Sequence, residues 1–118
     1  MKTIAFLAVA ALALTSAGPS FAASKKSLNS PRAGVLCDKY ICADAGGISR
    51  DLTARYLGRA AAKRLSSQGS FDTRRFTLAN GVFCDTVARS CYKDRYFDSN
   101  GKRSAVDPGA SSILFGKP

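Results

Sequence analysis

Beyond position 34 the chain alternates short apolar runs with clusters of turn-forming residues, so each run is long enough only for a strand or a small helix. Val35-Leu36-Cys37 and Ile41-Cys42 flank Lys39-Tyr40, which predicts a tight hairpin with Cys37 facing Cys42. Lys-Tyr is poor chemistry for a two-residue turn, and an irregular turn closed by a disulfide is the alternative. Asp44-Ala45-Gly46-Gly47 then reads as a loop.

Helical spacing begins after Ser49, which is placed as an N-cap with Asp51 in the favourable first turn. Leu52, Tyr56 and Ala60 form one row and Leu57, Ala61 and Leu65 another, while Arg55, Arg59 and Lys63 recur every four residues beside them. An unbroken helix would put Arg64 in the middle of the apolar arc. Gly58 is therefore read as a break, with a second helix over Arg59 to Gln68 and Gly69 as its C-cap. Phe76-Thr77-Leu78-Ala79 and Val82-Phe83-Cys84-Asp85 flank Asn80-Gly81, a strong hairpin signal. A third strand over Cys91 to Phe97 completes an antiparallel meander. Asp107-Pro108 starts a short helix around Ile113, Leu114 and Phe115 that Gly116 closes.

Two of these pieces echo each other. Gly34-Val35-Leu36-Cys37-Asp38 matches Gly81-Val82-Phe83-Cys84-Asp85, and the helix segment 53–58 loosely matches 111–116. We read a degenerate duplication of a hairpin-plus-helix unit. The fold expected is α+β, a small disulfide-stabilised domain of two hairpin or meander units with short helices.

Residues 1–22 stand apart from this pattern. Lys2 precedes an apolar run from Ile4 to Leu14 that is too short to span a bilayer. Gly18, Pro19, Ser20 and Ala22 follow, as expected of a signal peptide cleaved after Ala22, with Ala23 as the rival site. Residues 23–34 are mostly Ser, Lys, Asn, Pro and Arg with Leu28 alone as a large apolar side chain, and they read as a flexible tail. Residues 35–118 form the single expected domain. The processed product is expected to be soluble, not membrane-spanning, and periplasmic or secreted.

The 118 residues hold 18 Lys plus Arg against 8 acidic groups, and removing Lys2 with the leader lowers the formal charge from +10 to +9. All the acidic residues are Asp, and the chain has no His. Triad chemistry and imidazole metal sites are thereby excluded.

The four cysteines allow three pairings. The repeat favours Cys37 with Cys42 and Cys84 with Cys91, whereas loop entropy would reward a crossed pairing such as Cys37 with Cys84, by about 4 kcal/mol against roughly 2 for the short rings. Their spacings are not those of zinc ribbons, and no C-x-x-C redox pair is present. No cofactor is implied.

Asp38 and Asp85 each follow a cysteine and would be the candidate acid–base pair of a hydrolase. The simpler reading is that each binds nearby backbone amides at a hairpin end. Asp98-Ser99-Asn100-Gly101 resembles part of a calcium loop, but Tyr96 falls at the first ligand position and Lys102 and Arg103 lie inside it, so it is read as a turn. The positive charge remains as the feature with consequences for partners. Arg55, Arg59, Lys63 and Arg64 are the candidate strip for a polyanion such as lipopolysaccharide, nucleic acid or anionic lipid. Tyr40, Tyr92 and Tyr96 are stacking platforms or core residues.

Several motifs together carry a family likeness: Cys37-Asp38-Lys39-Tyr40-Ile41-Cys42-Ala43-Asp44, Gly47-Ile48-Ser49 with Tyr56-Leu57-Gly58, Ala79-Asn80-Gly81-Val82-Phe83-Cys84-Asp85, and Asp94-Arg95-Tyr96-Phe97-Asp98. The chain resembles the small exported enterobacterial proteins of the YcgJ family, also described as Fels prophage protein-like, over about Val35 to Gly116. The resemblance implies a Gram-negative periplasmic or secreted protein, sometimes prophage-associated, and carries over only the four cysteines as structural residues. The expected function is a non-enzymatic binding module of the envelope. The alternatives are a polyanion binder using the basic strip and an inhibitor of an acidic exported enzyme.

Overall fold

The computed structural model describes residues 28–116. The signal-peptide expectation and residues 23–27 of the expected tail therefore lie outside the described residues. Turn chemistry cuts the remainder into β1 (Leu36–Cys37), β2 (Cys42–Asp44), β3 (Gly47–Ile48), α1 (Arg50–Leu57), α2 (Arg59–Ser66), β4 (Arg75–Thr77), β5 (Phe83–Asp85), β6 (Ser90–Tyr92) and α3 (Pro108–Phe115). The strands form two three-stranded antiparallel sheets, ordered β1-β2-β3 and β4-β5-β6. The fold is α+β, and among the described residues no helix is long and apolar enough to cross a membrane.

Cys37 lies opposite Cys42, and Cys84 opposite Cys91, with Cα separations of 4.1 and 4.0 Å. Each pair is a disulfide that staples its own hairpin, and the crossed pairing is thereby excluded. All four cysteines are fully buried.

The helix caps match the sequence reading because they are local. Ser49 Oγ accepts the Leu52 N–H at 3.0 Å to start α1, and Asp107 Oδ1 accepts the Ala110 N–H at 3.1 Å to start α3. Gly58, at φ +100°, separates α1 from α2. The second helix is shorter than expected. It ends at Ser66, because Gln68 and Gly69 turn back onto the Leu65 and Ser66 carbonyls in tighter three-residue steps.

Other expectations are corrected by longer-range pairing. Gly47, read as loop, belongs to β3 and faces Asp44 across a turn made by Ala45 and Gly46. The segment read as a flexible tail is held where it is described: Leu28 packs on the core, and Asn29 exchanges both backbone bonds with Cys37, at 2.8 and 2.7 Å. Those bonds need only backbone, so a polar composition did not prevent them. Asn80-Gly81 does turn the chain, but the Leu78 N–H pairs with the Val82 carbonyl around a three-residue loop with Gly81 alone at positive φ. The third strand stops at Tyr92 instead of reaching Phe97. There the Ser104 hydroxyl takes the Asp94 N–H and donates to the Asp94 carbonyl, replacing the ladder with side-chain bonds.

The two halves share a set of equivalent pairings and bonds. Asn29 lies opposite Cys37 as Phe76 lies opposite Cys84, and Ala43 lies opposite Ile48 as Tyr92 lies opposite Val106. The Cys42 carbonyl accepts the N–H of the N-cap Ser49, and the Cys91 carbonyl accepts that of the N-cap Asp107. Leu36 and Ala43 from the first half join Phe76, Leu78, Val82, Ala110 and Leu114 from the second in one core. A smaller cluster packs Val35 and the first disulfide under Leu52, Tyr56 and Leu57 of α1.

Candidate functional site

The two aspartates singled out by the sequence are structural. Asp38 Oδ1 accepts the N–H groups of Tyr40 and Ile41 at 2.7 and 2.8 Å, and its Oδ2 reaches into the other half to accept the Ala79 N–H at 2.7 Å. Asp85 repeats the motif, its Oδ1 accepting from Val87 and Ala88 at 2.9 and 3.2 Å, while its Oδ2 accepts from Arg75 Nε at 3.3 Å. Burial pushes the Asp85 carboxyl up, but the Ala88 and Val87 amides and the Arg75 guanidinium outweigh it and hold the group below its ordinary value. Both carboxylates are spent on hairpin loops, so neither is free for acid–base chemistry.

Asp98 is likewise a turn residue, its Oδ1 accepting the Asn100 and Lys102 amides. The exposed strip divides: Arg55 lies on α1, while Arg59, Lys63 and Arg64 lie on α2. None of the four makes an ion pair among the described residues. Tyr40 is exposed at the tip of the first hairpin, and Lys39 stacks 5.5 Å from its ring centre. A shallow cleft of about 490 Å³ lies between the first turn and α3, with Arg32, Asp44, Gly46 and Leu114 among its walls.

A different face gathers more chemistry. Directly opposed residues of an antiparallel sheet share a side, so Thr77, Phe83, Tyr92 and Val106 form a row on the outer face of the second sheet, and Phe76, Cys84 and Cys91 face the core. Beyond β6 the chain leaves the sheet as a ribbon over residues 94–104 and turns through Asp98-Ser99-Asn100-Gly101, with Phe97 opposite Arg103. The Arg103 guanidinium sits 4.4, 4.8 and 4.9 Å from the ring centres of Phe97, Tyr92 and Phe83. Arg95 stands 5.3 Å from the exposed Tyr96 ring.

Such stacking holds a guanidinium in place without neutralising it. Arg95, Lys102 and Arg103 have no carboxylate within ion-pair distance among the described residues. Tyr96, Phe97 and Val106 are 64%, 56% and 49% exposed beside them. A depression of about 200 Å³ joins Tyr96, Phe97, Lys102 and Arg103 to Asp94 and Asp98. Of this face the sequence reading named Tyr92 and Tyr96 as stacking platforms. It did not bring Arg103 together with Phe83 and Phe97, although the alternation of aromatic and basic residues over 92–103 was a usable signal.

Fold and site thus define a twice-stapled α+β domain in which two hairpin-plus-helix units share a core and one presents an aromatic, cationic ribbon. A family model described as YcgJ protein matches residues 28–115. The chain belongs to the YcgJ family. It is 48% identical over 89 residues to the "Uncharacterized protein YcgJ" of Escherichia coli (strain K12), an alignment covering 75% of this chain and 73% of that protein. No solved structure matches the chain.

Proposed function

We propose that the protein is an exported, non-enzymatic binding module of the Gram-negative envelope whose contact surface is the outer face of the second sheet with its ribbon. The observation that carries this reading is Arg103, enclosed by three rings yet lacking a carboxylate partner among the described residues. Arginine and aromatic side chains held together at a surface are the usual anchors of protein interfaces. Export is supported by the leader-like pattern of residues 1–22 and by two disulfides in so small a domain.

A polyanion-binding reading is favoured by a separate observation, the exposed Arg59 and Lys63 one helical turn apart on α2 with Arg64 beside them. Heparin chromatography separates the two faces. Earlier elution after combined Arg59→Gln, Lys63→Gln and Arg64→Gln, with little change after Arg103→Gln, is the result expected if a dense polyanion binds at α2; elution unchanged by the three substitutions would remove that reading. Fractionation with mass measurement of the processed chain tests export, for which a periplasmic or secreted species beginning at Ala23 is expected. An uncleaved cytoplasmic chain would overturn it.

A further inference from the structure

Comparison of the two repeated units isolates the ribbon. The first half passes from β2 to β3 through Ala45 and Gly46, whereas the second runs through residues 94–104 before Ala105 returns to bond Lys93. The first half builds its hairpin, its disulfide and its helix contact without any such segment. The ribbon is therefore surplus to the bonding of the unit, yet it holds two exposed rings and three cations without an ion-pair partner among the described residues. Apolar surface collected beside fixed charge marks a place where something docks.

We propose that the ribbon and the adjoining sheet face dock an acidic polypeptide segment of a partner protein, Arg103 receiving a carboxylate while Tyr96 and Phe97 cover an apolar side chain next to it. This rests on the binding-module reading above. Arg103 is already held by three rings, so little side-chain freedom remains to be lost when its N–H edge grips a carboxylate in a two-pronged bond. The formal charge, +9 once the leader with Lys2 is removed, draws acidic partners from a distance.

The local charge pattern chooses among anionic ligands. Asp94 and Asp98 share the depression with Lys102 and Arg103, so the field alternates in sign over a few residues. A phosphate backbone, with a charge at every nucleotide, would meet those two carboxylates as well as the cations, whereas a polypeptide can offer single carboxylates spaced by uncharged side chains. A bilayer is no better matched, because the ribbon tip is Asp98-Ser99-Asn100-Gly101 and offers no apolar residue for insertion.

The test uses the processed, oxidised protein and four probes read by fluorescence anisotropy or co-sedimentation: a random copolymer of glutamate and tyrosine, polyglutamate, oligodeoxythymidylate, and vesicles rich in phosphatidylglycerol. The copolymer is expected to bind more tightly than polyglutamate and to weaken with salt. Arg103→Gln and Phe97→Ala should each weaken it on the order of tenfold. Replacing residues 93–105 by the first half's Asp-Ala-Gly-Gly turn should abolish binding while both disulfides and a cooperative thermal transition persist. If that variant does not fold, the two point variants carry the test. Preference for the oligonucleotide or the vesicles, lost with the ribbon, would overturn the polypeptide assignment and leave the binding face standing. Binding of every probe that survives both point variants and the ribbon replacement, or no binding at all, would overturn both.

Discussion

Thr53 and Ser111 make the same bond in the two halves of the chain. Each hydroxyl lies four residues past its helix N-cap and accepts the backbone N–H of the second cysteine of its hairpin, Cys42 at 3.0 Å and Cys91 at 2.8 Å. Each thereby ties a helix to the strand beneath it and satisfies a donor next to a disulfide. Thr53 is fully buried, so removing its hydroxyl leaves the Cys42 amide with no route to water. Thr53→Val is expected to cost about 1–3 kcal/mol in urea unfolding. Thr53→Ser, which keeps the oxygen, should recover much of that loss, and Ser111→Ala should cost less than Thr53→Val because Ser111 is only half-buried.

Asp38 joins the halves. It is 6% exposed and its carboxylate takes three amides, two from its own hairpin and the Ala79 N–H from the other unit. An amide side chain would turn a donor toward at least one of those donors. Asp38→Asn should therefore lower stability by about 2–3 kcal/mol, the range for hydrogen bonds to a charged group plus a stranded donor. Hydrogen exchange locates the effect: the Ala79, Tyr40 and Ile41 amides should lose protection together. Unchanged protection at Ala79 would show that the Asp38 carboxylate plays no part in holding the halves together.

At Gly47 the first sheet meets the backbone that leads into β4. The Ile48 N–H donates to the Thr73 carbonyl at 2.9 Å, and a methyl group on Gly47 would collide with that same carbonyl oxygen. Gly47 also sits at φ +118°, where a side chain strains the backbone. Gly47→Ala is expected to cost on the order of 3 kcal/mol in denaturant unfolding. Gly46→Ala, next to it in the turn, is the control. Its new methyl would meet only the Asp44 carboxylate, at 3.3 Å, and a change within roughly 1 kcal/mol is expected.

These residues also show what a sequence can and cannot disclose. Ser49, Asp107, Gly58 and Gly116 were legible because a cap or a helix end is decided by neighbours within four residues. The disulfide pairs were legible through the repeat Cys37-Asp38 and Cys84-Asp85. Asn29 facing Cys37, Asp38 reaching Ala79 and Arg103 covering Phe83 join residues that are distant or unremarkable in sequence, and no local periodicity marks them. Thr53 was hidden for another reason. A hydroxyl on a helix reads as surface until a strand amide is known to lie beneath it. The candidate site suffered most, since the basic residues with the regular spacing lie on α1 and α2, while the organised guanidinium is on an irregular ribbon.

The remaining expectation concerns acid. Burial acts to raise the Asp85 carboxyl above its ordinary value of 3.8, but the Ala88 and Val87 amides together with Arg75 bring the net shift below it. A carboxylate that binds its proton less readily in the folded chain than in the unfolded one stabilises the fold fully above the unfolded value. That contribution is lost as pH falls through the lower folded value. Stability should therefore hold level above about pH 5 as far as this group is concerned and decline below about pH 4. Asp85→Asn removes the titrating group, so it should lower stability at neutral pH by about 1–3 kcal/mol and flatten part of the acid decline. Urea unfolding of both proteins at neutral and acid pH measures the difference, which should shrink as the pH drops. A gap that stayed constant down to pH 2 would mean that the carboxylate charge plays no part in closing the second hairpin loop.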